Sequence, residues 1–143
     1  MSSSAAPIDD VVLESIAERA RAHQLVKRVQ SEQTGGMVST VVATLDPGRY
    51  PPHVQEARLE VQWYTNGDYN FHYVETQDSG DIWQCRWDRH PNPHTQRMHF
   101  HPPPEAQSDD AVPDSPADTH PSALFTRTLA NVRQRIENLW DQV

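Results

Sequence analysis

Four of the eight histidines fall between positions 90 and 101. They belong to a continuous stretch, Arg86-Trp87-Asp88-Arg89-His90-Pro91-Asn92-Pro93-His94-Thr95-Gln96-Arg97-Met98-His99-Phe100-His101. Imidazole moves a proton or binds a transition metal near neutral pH. Guanidinium holds a phosphate or carboxylate in a planar fork. Three chemistries fit. The first is phosphodiester cleavage on RNA, with histidines as acid and base and arginine stabilising charge in the transition state. His72, Arg86, Arg89, His94, Arg97, His99 and His101 could supply it without a metal. The second is a metal site for zinc or nickel. His99 and His101, at i and i+2 of a strand, point the same way, and His72, His90, His94 or Asp88 could complete the shell. That spacing matches no strong zinc signature and has no cysteine partner. The third is the polar outer face of a sheet, where histidine is acceptable without any task.

Composition narrows the field. The chain has 143 residues and 36% hydrophobic residues, which suits one domain with a single modest core. Its net charge of -8 excludes a broad basic field for duplex DNA, so any nucleic-acid contact must be local. Lys27 is the only lysine, and the excess of acid over lysine suits either a salt-loving host or a GC-rich genome. Cys85 is the only cysteine, so no internal disulfide can form. No apolar run reaches membrane-spanning length, and Met1-Ser-Ser-Ser-Ala-Ala-Pro7 has neither a basic nor an apolar region, so a cytoplasmic location is expected. The chain carries no Gly-rich phosphate loop and no Gly-x-Ser-x-Gly elbow.

The elements that must position the cluster are legible in part. Residues 1 to 8 read as a flexible tail. Residues 9 to 30 read as a helix capped by Asp9 or Asp10, with Val12, Ile16, Ala20 and Val29 near helical spacing. Val38 to Leu45 is β-branched and reads as a strand. Three runs then alternate with period two, through Leu59, Val61 and Trp63, then Tyr69, Phe71 and Tyr73, then Trp83, Cys85 and Trp87. That pattern predicts an antiparallel meander with one buried face. A three-residue loop, Thr65-Asn66-Gly67, pairs Val61 with Phe71 and Glu60 with His72, with Gly67 left-handed. A two-residue loop would turn His72 into the apolar face, so burial selects the longer one. Extended to the next hairpin, the pattern puts His72 beside Gln84 and Asn70 beside Arg86. Arg97 to His101 suits one more short strand, with Arg97, His99 and His101 on one side. Residues 102 to 120 read as a disordered, acidic, Pro-rich loop. Ser122 to Val143 reads as a helix whose stripe of Phe125, Leu129, Val132, Ile136 and Leu139 docks on the sheet, or else makes a homodimer contact. The expected class is α+β: a four- to five-stranded antiparallel meander between an N-terminal and a C-terminal helix, one domain over residues 9 to 143.

The stretch Tyr69-Asn70-Phe71-His72-Tyr73, then Arg86-Trp87-Asp88, then the His/Pro-rich run ending at His99-Phe100-His101, resembles the TumE family of toxin-like proteins. These often occur beside a short antitoxin. The resemblance covers roughly residues 38 to 104 and, more loosely, the final helix. Arg89 stands where the family usually has asparagine, and the histidine spacing differs from the usual paired arrangement. The resemblance implies His72, Arg86, Asp88, His99 and His101 as functional positions, a cognate antitoxin as partner, and, from the toxin context, RNA as substrate. In that reading His99 and His101 act as acid and base with His72 in support. Arg86, Arg97, Arg89 and His94 contact phosphate, Asp88 orients a neighbour, and no cofactor is needed. The alternative is a binding module holding zinc through His99, His101 and His94, or an inactive relative.

Overall fold

A computed structural model describes residues 6 to 143. The chain folds as α1 (Asp10–Arg21), then β1 (Val26–Thr34), β2 (Met37–Leu45), β3 (Val54–Trp63), β4 (Tyr69–Gln77), β5 (Ile82–Arg89), β6 (Met98–His101), β7 (Val112–Pro113) and α2 (Pro121–Asp141). The seven strands form one sheet in sequence order, each antiparallel to the next. The class is α+β with flanking helices, as expected, but the sheet has seven strands in place of four to five.

The extra strands lie at the edges. The expected helix over residues 9 to 30 stops at Arg21, and Val26–Thr34 pairs with β2 as a strand. Asp9 caps α1, its carboxylate accepting from the Val12 N–H at 3.1 Å. The Ala22 N–H closes the other end on Glu18. Residues 1 to 5 of the expected tail lie outside the described residues. Within that tail the Pro7 carbonyl accepts from Thr65 N at 2.9 Å, and just after it the helix-capping Asp9 donates its N–H to the Trp63 carbonyl, also at 2.9 Å.

The first central hairpin has the predicted register. Val61 faces Phe71, Glu60 faces His72, and Gly67 sits at φ +87°. The second hairpin is shifted by two residues from the expected pairing. His72 faces Arg86, and Asn70 faces Asp88. Faces are preserved because the shift is even, so the burial pattern does not detect it. A methyl group at Gly67 would meet only the Arg89 guanidinium, at an ordinary 3.5 Å. The backbone angle is therefore what demands glycine. Gly67→Ala should cost about 1–2 kcal/mol, read as a lower urea midpoint with an unchanged slope.

The apolar face carries the core. Val61, Trp63, Tyr69, Phe71, Tyr73, Cys85 and Trp87 are buried against Leu13, Ile16 and Ala20 of α1 and Leu124, Phe125, Leu129, Val132, Ile136 and Leu139 of α2. The α2 stripe is thus consumed by the chain's own sheet, so it does not serve the dimer contact weighed above. Each such large side chain contributes about 1.5–3 kcal/mol on burial. Burial also raises the Cys85 thiol to about 12, which suits a core residue and not a nucleophile. Two ion pairs tie α2 down. Arg135 grips the buried Glu75 through two bonds of 2.9 and 2.8 Å, and Arg127 grips Asp114 at 3.0 and 2.9 Å. The stretch 102 to 120, expected as a disordered loop, carries β7, a short 3-10 turn at Ser108–Asp110 and this Asp114 anchor.

Candidate functional site

The opposite, polar face holds the cluster. Cross-strand pairing builds two rows there: Gln62, Asn70, Asp88 and His99 in one, Glu60, His72, Arg86 and His101 in the next. Period two along β5 puts Arg86 and Asp88 on one face, and His90 continues it just past the strand's end. The short strand β6 returns His99 opposite Asp88 and His101 opposite Arg86. A stretch scattered along sixteen positions of sequence is thereby folded onto one carboxylate.

Asp88 is that carboxylate, and it is fully buried. Its Oδ2 accepts from Arg86 Nε at 2.8 Å, and faces His90 Nε2 at 2.8 Å, His101 Nε2 at 2.9 Å and His99 Nε2 at 3.7 Å. Burial alone would raise the Asp88 pKa. The bonded His101 and His90 rings and the Arg86 charge outweigh it and hold the group well below the usual carboxylate range. The bond to Asp88 raises the His90 pKa, whereas burial lowers that of His99.

The ring tautomers follow from the other nitrogens. His90 Nδ1 bonds the Pro91 carbonyl at 3.0 Å, and His101 Nδ1 the Gln107 carbonyl at 3.2 Å. His99 Nδ1 bonds the carbonyls of Gln96 and Arg97 at 3.0 and 2.9 Å. A carbonyl only accepts, so all three rings carry hydrogen on Nδ1. Each Nε2 then meets Asp88 either as part of a cationic ring or as a lone pair. His101 Nε2 lies between Asp88 Oδ2 at 2.9 Å and the Arg86 Nη2 donor at 3.2 Å, so it donates to the first when protonated and accepts from the second when not. Among the described residues, Asp88 Oδ1 and His99 Nε2 are buried with no hydrogen-bond partner.

His72 stands apart from this knot. Its Nε2 lies 2.8 Å from the side-chain oxygen of Gln84, to which it donates, leaving a lone pair on Nδ1. Burial lowers its pKa, so the ring is neutral at pH 7. Arg86, its cross-strand partner, remains 30% exposed at the side chain.

The other predicted residues are placed differently. Arg89 and Arg97 both bind the buried Asp68, Arg97 through two bonds and Arg89 at 2.7 Å. Asp68 was not anticipated; its signal is a carboxylate directly after an Asn-Gly turn, at a position that continues the polar face of β4. Glu75 was also missed, although it occupies an apolar-face position of β4, where a carboxylate needs a partner from α2. His94 is exposed on the loop between β5 and β6, outside the cluster, so a zinc shell of His99, His101 and His94 does not form. The aromatics Trp63, Phe71, Tyr73 and Trp87 are core, and Trp83 lies under the Arg135 guanidinium at 3.7 Å. A groove of about 220 Å3 lined by Trp83, Trp87, Phe100 and Arg135 runs beside α2, across the sheet from Asp88.

The fold and site define a small α+β protein with a histidine–arginine centre built on a buried aspartate. The family model described as Toxin TumE matches residues 10–136, and the chain belongs to that toxin family. The match takes in α1 and most of α2, as far as Ile136, beyond the residues that carried the resemblance. No curated protein and no solved structure matches the chain. Among the described residues, no helix is long and apolar enough to cross a membrane.

Proposed function

We propose that this chain is the toxin of a toxin–antitoxin pair, with a cognate antitoxin as partner, and that it cleaves RNA on the polar face of its sheet. The observation that carries the reading is His72 beside Arg86: a neutral imidazole with its tautomer fixed by Gln84, directly across the ladder from a half-exposed guanidinium. A base and a cation at that spacing suit attack by the ribose 2′-oxygen on the adjacent phosphorus. His72 Nδ1 takes the 2′-hydroxyl proton while Arg86 holds a non-bridging phosphate oxygen. The bond from phosphorus to the 5′-oxygen breaks, and that oxygen takes a proton from solvent. The products are a 2′,3′-cyclic phosphate and a 5′-hydroxyl end.

The buried residues act behind this pair. Asp88 fixes Arg86 through Nε, and His101 meets the same guanidinium at Nη2. His99 and His101 are fully buried, so they brace the aspartate and do not meet RNA themselves. Arg89 and Arg97 share one aspartate and leave a net positive charge beside the site for a second phosphate. Exposed His94 lies on the loop next to them. Induced expression of the wild type in a bacterial host should arrest growth with loss of RNA, and the His72→Ala, Arg86→Ala variant should do neither. Equal arrest by both, or arrest with intact RNA, would contradict the reading. The companion reading, a metal-binding module, is favoured by the gathering of ligand atoms from Asp88, His90, His99 and His101 within 4.8 Å of one another.

A further inference from the structure

Asp88, His90, His99 and His101 each offer one ligand atom, and these atoms lie within 4.8 Å of one another. We propose that they form a structural site for one divalent transition metal of the zinc class. The proposal does not depend on RNA cleavage.

The donor set is the first ground. Imidazole nitrogen and carboxylate oxygen suit zinc, and four protein ligands close its usual tetrahedral shell. Such a shell spaces its donors about 3.3 Å apart for bonds of about 2.0 Å. The distances from Asp88 Oδ2 to the three Nε2 atoms, 2.8, 2.9 and 3.7 Å, bracket that spacing.

The outer partners are the second ground. A metal-bound histidine typically donates its far N–H to a carbonyl or carboxylate. All three rings do so here, to carbonyls of Pro91, Gln96 and Arg97, and Gln107. All three Nε2 atoms then point inward.

Unmet acceptors are the third ground. Buried Asp88 Oδ1 and His99 Nε2 have no hydrogen-bond partner among the described residues. His101 Nε2 sits 2.9 Å from Asp88 Oδ2 and 3.2 Å from the Arg86 Nη2 donor, so a proton on it would face that donor while reaching Asp88. Arg86, on the same ladder, bonds Asp88 Oδ2 and meets His101 Nε2, and so satisfies only part of the quartet. Being 30% exposed, it can turn toward water when a metal enters. The ion would staple the end of β5 to β6 and order the loop that begins at His90.

The test uses full-length protein without an affinity tag, stripped with chelator and titrated with zinc, or with cobalt for its tetrahedral visible bands. The wild type should bind about one equivalent, show those bands and unfold at a higher temperature when loaded. His90 is the least buried ligand, so His90→Ala should still fold. It should weaken binding beyond the roughly 10–100-fold cost of losing an outer-shell partner. His94→Ala, four residues away and outside the quartet, should bind as the wild type does. Failure of the wild type to bind, equal binding by His90→Ala, or loss of binding in His94→Ala would each overturn the site. Metal content and RNA cleavage are read separately, so either proposal can fail while the other stands.

Discussion

Arg135→Ala should destabilise the protein by about 3–5 kcal/mol. Glu75 is fully buried on the apolar face of β4, and Arg135 pairs with it through both carboxylate oxygens. Its other bonded neighbour is the Tyr73 hydroxyl at 2.7 Å, which itself bonds Tyr50 at 2.6 Å. Removing the guanidinium leaves a carboxylate in a core with two phenols and no cation. The same change strips the cation from the face of Trp83. Arg135 is only 15% exposed at the side chain, so solvent screening does little to soften the loss. Urea unfolding followed by tryptophan fluorescence measures the effect. The Glu75→Gln, Arg135→Ala double variant should recover much of it, because the penalty belongs to the orphaned charge. A single-variant cost below about 1 kcal/mol would mean that the pair behaves as an exposed one.

His72→Ala should lower the rate of RNA cleavage by about 10²–10⁴-fold, the usual contribution of a positioned base. Among the described residues the His72 side chain hydrogen-bonds Gln84, on the polar face away from the core, so the fold should persist. Arg86→Ala should lower the rate too, but it also removes a partner from buried Asp88, so its stability must be measured alongside. The pH dependence has a definite sign. The His72 pKa lies below its ordinary 6.5 because burial opposes the charged ring. The base is therefore in its working form above that depressed value, and the acidic limb of the rate profile should fall below pH 6.5. His72→Ala should abolish that limb. An acidic limb above 6.5, or one unchanged in the variant, would assign the base elsewhere.

Where one face is buried, the sequence reveals the fold well. Trp63, Phe71, Tyr73, Cys85 and Trp87 alternate so regularly that the central strands and the Thr65–Gly67 loop follow from burial alone. Strand β1 does not announce itself, because as an edge strand it is exposed or half-exposed along its whole length. Without alternation, Val29 looked like one more turn of α1. The β4–β5 register shows a different limit. A shift by two residues keeps every side chain on its face, so only the turn can decide. That turn is Asp78-Ser79-Gly80, with Gly80 left-handed at φ +90°. For the site, Asp88, His99 and His101 were readable as neighbours once β6 was drawn beside β5. His90 was not separable from His94, since the position of each depends on the path of a proline-rich loop. Likewise Arg89 and Arg97 look like free phosphate binders until the fold brings Asp68 between them.

The most direct test of the central claim is the chemistry of the cut. Purified protein is incubated with a defined RNA and with the same RNA carrying a 2′-deoxynucleotide at the cleaved position. Cleavage of the first to 2′,3′-cyclic phosphate and 5′-hydroxyl ends, with the second left intact, is the predicted result. No cleavage by folded protein, or cleavage of both RNAs to 5′-phosphate ends, would contradict it.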